Sequence, residues 1–136
     1  LRTAESHFNL ANFMKAHLYT SLGAVKMGLD ILMEDEKVKV DRIMGHGGFF
    51  KTKGVGQRYL AAAVGAPVTV MDTASEGGAW GIALLAAYLI DKREGERLED
   101  YLENRIFKEL AGETISPCAE DKKGFDIFME RYKAGL

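Results

Sequence analysis

The order of short β-branched segments and helical segments between residues 40 and 91 constrains the fold most. The segment 67–71 is short and rich in β-branched side chains, and a short apolar stretch that includes Val40 and Ile43 precedes the glycine at 45, so two strands are predicted, over 40–44 and 67–71. Helical spacing of apolar residues returns after each of them, over 54–64 and from Trp80 to Tyr88. A strand-helix-strand-helix order favours parallel strands joined by a right-handed crossover. We therefore predict an α/β fold that is rich in helix and contains a short parallel sheet.

Helices are predicted on both sides of this unit. Apolar residues recur at intervals of three and four over 10–32, which indicates one long amphipathic helix with Ser6 or Asn9 as its cap. Two more helices are predicted, one over 98–110 and one on the stripe that includes Phe125 and Met129. A length of 136 residues is typical of one domain. We predict a single domain, 1–136, with a core over about 1–91 and carboxy-terminal helices over 92–136.

Charge and cysteine content exclude several classes of protein. The net charge is -2, from 18 basic and 20 acidic residues, so no strong field would attract nucleic acid. The longest apolar run, 82–90, is far shorter than the roughly 20 residues that cross a bilayer, and no membrane association is expected. Cys118 is the single cysteine, which excludes an internal disulfide framework and fits a cytoplasmic location.

A glycine-rich turn, GHGGFFKT at 45–52, directly follows the first predicted strand. Glycines at such a junction let the backbone approach an anion closely and leave N–H donors unshielded, although they also serve simply to turn the chain. A phosphate loop would need glycine in place of Phe50, and the dinucleotide fingerprint fails at the same residue. His46 lies within this turn, and a catalytic role for it is the less favoured interpretation. The three histidines lack the spacing of a metal site.

A second glycine-rich segment, SEGGAWG at 75–81, occurs at the next junction of a strand with a helix. Small residues there, including Gly77 and Gly78, would let the helix pack closely against a neighbour. They would equally leave a narrow slot for a flat purine base. The residues alone leave both interpretations open.

Three blocks of the sequence resemble the carboxy-terminal half of the FGGY carbohydrate kinases, particularly the xylulokinase-like and ribulokinase-like members. The blocks are NLANFMKAHLY at 9–19, GHGGFFKTKGVGQ at 45–57 and TASEGGAWGIALLA at 73–86. They occur in the family's order, and the likeness covers roughly residues 6–91. The resemblance implies a partial ribonuclease H-like, actin-like ATPase fold, with ATP and Mg2+ bound in a cleft between two lobes.

The resemblance also implies the site residues. The paired glycines Gly47 and Gly48 would approach the nucleotide, and Phe49 would lie near the purine. A second pair, Gly77 and Gly78, would begin a helix at the same pocket. Gln57 is the polar candidate for holding adenine. Its alternatives are to cap a helix or to face solvent. The nucleotide-binding residues implied are Gly47, Gly48, Phe49, Gln57, Gly77 and Gly78.

By the same resemblance, the catalytic aspartate and the sugar site are expected upstream of Leu1, and no catalytic or metal-binding residue is expected within the chain. The implied activity is ATP-dependent phosphorylation of a sugar, a ketopentose such as xylulose or ribulose, by the full-length enzyme. The fragment alone is expected to be inactive. The alternative is a non-catalytic nucleotide-binding or oligomerisation module of the actin-like superfamily. Because the family's core has more strands than the two predicted here, strand 40–44 should have an open edge, which predicts a homodimer.

Overall fold

The computed structural model of the chain describes residues 4–74, 77–109 and 111–136. The helices are α1 (Leu10–Asp30), α2 (Val55–Val64), α3 (Gly77–Asp91), α4 (Leu98–Tyr101) and α5 (Ala119–Lys133), and the strands are β1 (Ile43–Gly45), β2 (Val68–Met71) and β3 (Gly112–Ile115). A π-helical turn, Ile31–Asp35, extends α1, and helical turns over Leu102–Ile106 and Phe107–Glu109 extend α4. The predicted helices are therefore confirmed. The parts of the predicted segments at 75, 76 and 110 lie outside the described residues.

The first helix begins where its cap predicts. The side chain of Asn9 accepts a hydrogen bond of 2.8 Å from the backbone N–H of Asn12, and the Asn9 backbone is extended. This bond satisfies one of the N–H groups that a helix leaves unpaired at its start. Of the two predicted caps, Asn9 is the one that the structure confirms.

The sheet is mixed, with the strand order β1-β2-β3. The predicted parallel pairing of the first two strands is confirmed, with Ile43 opposite Val68 and Gly45 opposite Val70. β3 pairs with β2 in the antiparallel direction, so the prediction of a parallel sheet of two strands is wrong, and the segment 92–136 adds a strand to the helices predicted there. The four residues of β3 carry little apolar patterning. A hydrogen bond of 2.7 Å between the hydroxyls of Thr69 and Thr114, which face each other across the two strands, accompanies this pairing.

Three helices enclose the core on one side of the sheet. Tyr19 of α1 lies at their meeting point: its ring makes edge-on contacts with Tyr59 of α2, at 5.5 Å between centroids, and with Phe125 of α5, at 4.9 Å. Phe125 and Val68 have no exposed surface. Because aromatic rings contribute both large buried area and specific edge-to-face contacts, this cluster fixes α1, α2 and α5 relative to one another.

An ion pair connects the start of α5 with α2. The guanidinium of Arg58 donates two hydrogen bonds to the Asp121 carboxylate, of 2.5 Å and 2.9 Å. The Asp121 side chain is 9% exposed and that of Arg58 is 60% exposed. The hydrogen bond from Arg58 holds the pKa of Asp121 below its ordinary value.

The α3 and α4 segments pair with each other through aromatic contacts. Tyr88 and Tyr101 meet at 5.4 Å between ring centroids, and Trp80 meets Phe107 at 5.9 Å. The Tyr88 hydroxyl also donates to the backbone carbonyl of Glu96 at 2.7 Å. No residue of α3 is buried.

Within the described ranges, no helix combines the length and apolar character that crossing a membrane requires.

Two helical glycines should respond oppositely to alanine. A Cβ on Gly56 would lie 2.7 Å from Cδ1 of Phe49 and nearer still to its carbonyl oxygen, whereas a Cβ on Gly124 would lie an ordinary 3.6 Å from the Tyr19 hydroxyl. Overpacking should make Gly56→Ala less stable by about 1–3 kcal/mol. Gly124→Ala should gain about 0.5–1 kcal/mol, because alanine has the higher helix propensity. Urea unfolding of both variants measures this, and a gain for Gly56→Ala would contradict the packing.

The Arg58–Asp121 pair predicts a loss of stability in acid. Since folding lowers the pKa of Asp121, its contribution is present above the unfolded pKa of about 4 and is lost as pH falls through the lower folded pKa. Arg58→Met should reduce the unfolding free energy by about 1–3 kcal/mol at neutral pH. It should also flatten the decline below about pH 4. Urea unfolding from neutral pH down to strong acid tests both effects, with Arg42→Met as the control; equal acid slopes in the two variants would rule out the pair as the cause.

Candidate functional site

Both glycine-rich turns lie at the same edge of the sheet. Because β1 and β2 are parallel, their carboxyl ends, Gly45 and Met71, point the same way. The backbone N–H of Gly47 donates a hydrogen bond of 2.7 Å to the carbonyl of Ala74, which joins the loop after β1 to the loop after β2. The edge beyond the carboxyl ends of parallel strands is where ligands bind in open α/β sheets.

The first turn presents bare main chain to open space. Gly47 has φ 95° and ψ -174°, a combination that is essentially restricted to glycine. A Cβ on Gly47, Gly48 or Gly78 would meet no heavy atom within 4 Å. The chain then forms one short helical turn, Gly48–Phe50. Nothing in the described protein therefore fills the space next to these three glycines.

Gly77, by contrast, is needed for a close contact. A Cβ there would lie 2.9 Å from both the Cβ and the Nδ1 of His46. Glycine at this position lets the start of α3 approach the first turn. His46 thus lies against α3, and the two glycine-rich segments form one continuous surface.

A cleft of about 1090 Å³ extends from this surface between the sheet and the α3–α4 pair. Its walls are mostly apolar, although four glycines and three charged side chains, those of Arg42, Glu99 and Glu103, also line it. Residues that line it include Met44, His46, Thr69, Met71, Gly77, Gly78, Trp80, Leu84, Phe107 and Thr114. Of the predicted site residues, Gly77 and Gly78 line the cleft, while Gly47 and Gly48 lie next to its wall residue His46.

The two phenylalanines of the first turn pack back against the protein. The Phe49 ring lies over Gly56 of α2, and the Phe50 ring covers Gly45, where a Cβ would be 2.6 Å away. The two rings meet edge to face at 5.4 Å. Phe49 therefore has a packing contact, and its predicted place near a purine stays a prediction.

Gln57 is a buried link between two strands. Its side chain amide donates hydrogen bonds of 2.7 Å to the carbonyl of Val68 and 2.6 Å to the carbonyl of Glu113. The residue is 3% exposed, so neither of the alternatives to adenine binding, a cap or a solvent-facing side chain, describes it. Both amide hydrogens are already used within the sheet.

Sequence reasoning missed the sheet face of the cleft. Val68 belongs to the core, whereas Thr69 and Met71 of the same strand line the cleft. Strand residues alternate between the two faces of a sheet, so the period of two in VTVM was the available signal. Trp80 was assigned only to its helix. Within the described ranges, no group of three or more His, Cys, Asp or Glu side chains is placed to hold a metal ion.

A family model for the C-terminal domain of the FGGY family of carbohydrate kinases matches residues 1–90. The chain belongs to this family. The resemblance is thereby confirmed at the level of the family, and the segment from Leu98 through α5 lies beyond the match. No curated protein and no solved structure matches the chain significantly.

Membership of the FGGY family implies a general activity and a general fold. Full-length FGGY proteins are kinases that use ATP, usually with Mg2+, to phosphorylate a sugar. The family also implies an actin-like ATPase fold, and a helix-rich chain with a small mixed sheet is consistent with that fold.

The geometry of Gln57 predicts a stability effect. Gln57→Met would remove two buried hydrogen bonds, to the carbonyls of Val68 and Glu113, which should lower the unfolding free energy by about 1–3 kcal/mol. Affinity for ATP, measured on the folded protein, should change little. A variant of normal stability with weakened ATP binding would instead support the adenine contact implied by the resemblance.

Proposed function

We propose that this chain forms the nucleotide-facing part of a kinase that transfers a phosphoryl group from ATP to a sugar. The observation that carries the proposal is the junction of two glycine-rich turns at the carboxyl edge of parallel strands, where bare main chain borders open space. Such an edge suits a phosphorylated ligand, because a backbone without side chains can approach it closely. Gly47 and Gly48 would admit the nucleotide by this proximity.

The cleft suits the remaining parts of ATP. Its apolar walls, including Trp80 and Met71, could hold a flat base, and Gly77 and Gly78 line it without side chains that would obstruct a ligand. These glycines also form the first turn of α3, a helix of 15 residues. Unpaired N–H groups at the start of a helix favour phosphate. Phe49 does not line this cleft, so its proposed contact with the purine rests on the resemblance alone.

Catalysis requires groups that the described residues do not assemble. Phosphoryl transfer depends on positioning and on charge neutralisation, which Mg2+ supplies when it is bound with the phosphates. We infer that the general base and the sugar site belong to a second lobe, upstream of Leu1, and that this chain alone is inactive. A cytoplasmic location is part of the same proposal.

The proposed substrate is a ketopentose such as xylulose or ribulose. This choice is supported by the three sequence blocks at 9–19, 45–57 and 73–86, which resemble the xylulokinase-like and ribulokinase-like members. The activity of the full-length enzyme on ketopentoses, aldopentoses and hexoses would decide it.

Gly48→Val tests the nucleotide assignment. The new side chain would enter open space, so the fold should tolerate it while the bound nucleotide is obstructed. In the full-length enzyme, we expect the Kd for ATP to rise by about tenfold or more, the equivalent of roughly 1.4 kcal/mol, with sugar affinity unchanged. Isothermal titration calorimetry measures both.

The matched control is Gly28→Val, which also points into open space but on α1. It should leave both affinities as they are. Equal ATP affinity in the two variants would remove Gly48 from the site.

The homodimer also remains a proposal. β1 is an edge strand in the described sheet, and Met44 at its centre is 45% exposed. An unpaired strand edge can accept a strand from another chain. Sedimentation velocity over a range of concentrations should show a dimer that Met44→Pro weakens, because proline removes a backbone donor; a monomer at all concentrations would contradict the proposal.

A further inference from the structure

A second cavity lies between the first half of α1 and the second half of α5. Its volume is about 690 Å³, and it shares no lining residue with the cleft beside the glycine turns. This volume is in the range of pockets that hold small organic molecules. Nothing in the proposed kinase function uses it.

Tyr19 forms the floor of the cavity. Tyr19 is 4% exposed, and its hydroxyl forms no hydrogen bond with any described residue. The ring cannot turn freely, because Tyr59, Phe125 and Phe128 pack against it edge-on. The ring is therefore a fixed wall of the cavity, while its hydroxyl, which has almost no accessible surface, lies next to Lys15 rather than open to a ligand.

Two cations line the same cavity without ion-pair partners. Lys15 holds its ammonium 5.2 Å from the centre of the Tyr19 ring. Arg131 lies on α5 at the opposite side, and neither cation forms an ion pair within the ranges that the structure describes. Glu5 and the terminal carboxylate of Leu136 are the acidic groups among the lining residues, and neither forms an ion pair with Lys15 or Arg131.

The remaining walls are aromatic. Phe128 and Tyr132 stack at 5.8 Å between centroids, with an angle of 29° between their planes. Both rings line the cavity. Stacked rings of this kind provide an apolar surface for the body of a ligand.

We propose that this cavity binds a small organic phosphate, with its anionic head between Lys15 and Arg131 and its apolar body against Phe128 and Tyr132. The guanidinium of Arg131 can donate two parallel hydrogen bonds to phosphate oxygens, and the ammonium of Lys15 adds a compact positive charge. The site is independent of the nucleotide assignment, and it includes a helix that lies beyond the family match.

Phenyl phosphate is a suitable probe, because it combines a phosphate head with an aromatic body. Isothermal titration calorimetry on the unmodified chain should show saturable binding with one site, and phenol and inorganic phosphate should each bind at least about tenfold more weakly, since each lacks half of the ligand. If phenyl phosphate shows no saturable binding, the proposal fails.

Variants locate the binding. Arg131→Met and Lys15→Met keep the apolar parts of their side chains, and each should weaken phenyl phosphate binding by about tenfold. Lys123→Met on the same helix is the matched control, since Lys123 does not line the cavity, and it should bind as the unmodified chain does. Gly48→Val should also bind normally, which separates this site from the nucleotide site. Equal affinities for Arg131→Met and Lys123→Met, or a loss confined to Gly48→Val, would overturn the proposal.

Discussion

The parallel pairing of β1 with β2 is the interaction on which the candidate site depends. It sets Gly45 opposite Val70, so that both strands end at one edge and both glycine-rich turns begin there. The hydrogen bond from Gly47 to Ala74 then joins the turns. An antiparallel arrangement of the same strands would place their carboxyl ends at opposite edges of the sheet. The bare main chain and the start of α3 would then form no common surface.

Glycines perform two different tasks around this edge. At Gly56 and Gly77 they permit close packing, under Phe49 and His46 respectively. At Gly48 the missing side chain leaves space that the described protein does not fill. The rings of Phe49 and Phe50 pack toward the protein and hold the turn in place. The backbone at Gly48 is therefore left facing outward. One short segment therefore provides both the packing contacts and the open surface beside Gly48.

The segment beyond the family match completes the fold. Phe125 is fully buried within the core, and Asp121 holds α5 to α2 through Arg58. β3 supplies one of the carbonyls that Gln57 binds. A core shared in this way makes α5 part of the structure that supports the sheet. It also allows α5 to form, with α1, a cavity of its own.

The sequence by itself determined the helices, the order of the first two strands and the helices that follow them, and the position of both glycine-rich turns, because these follow from periodicity and turn chemistry within a few residues. It also carried enough of the FGGY pattern to identify the family. Only the tertiary structure decided the pairing of β3 and the burial of Gln57. Both depend on contacts between distant segments, since Val68 pairs with Ile115 and Gln57 reaches Glu113. A strand as short as β3 has no local period strong enough to predict, and a single polar residue takes its role from whichever unpaired groups the fold brings beside it.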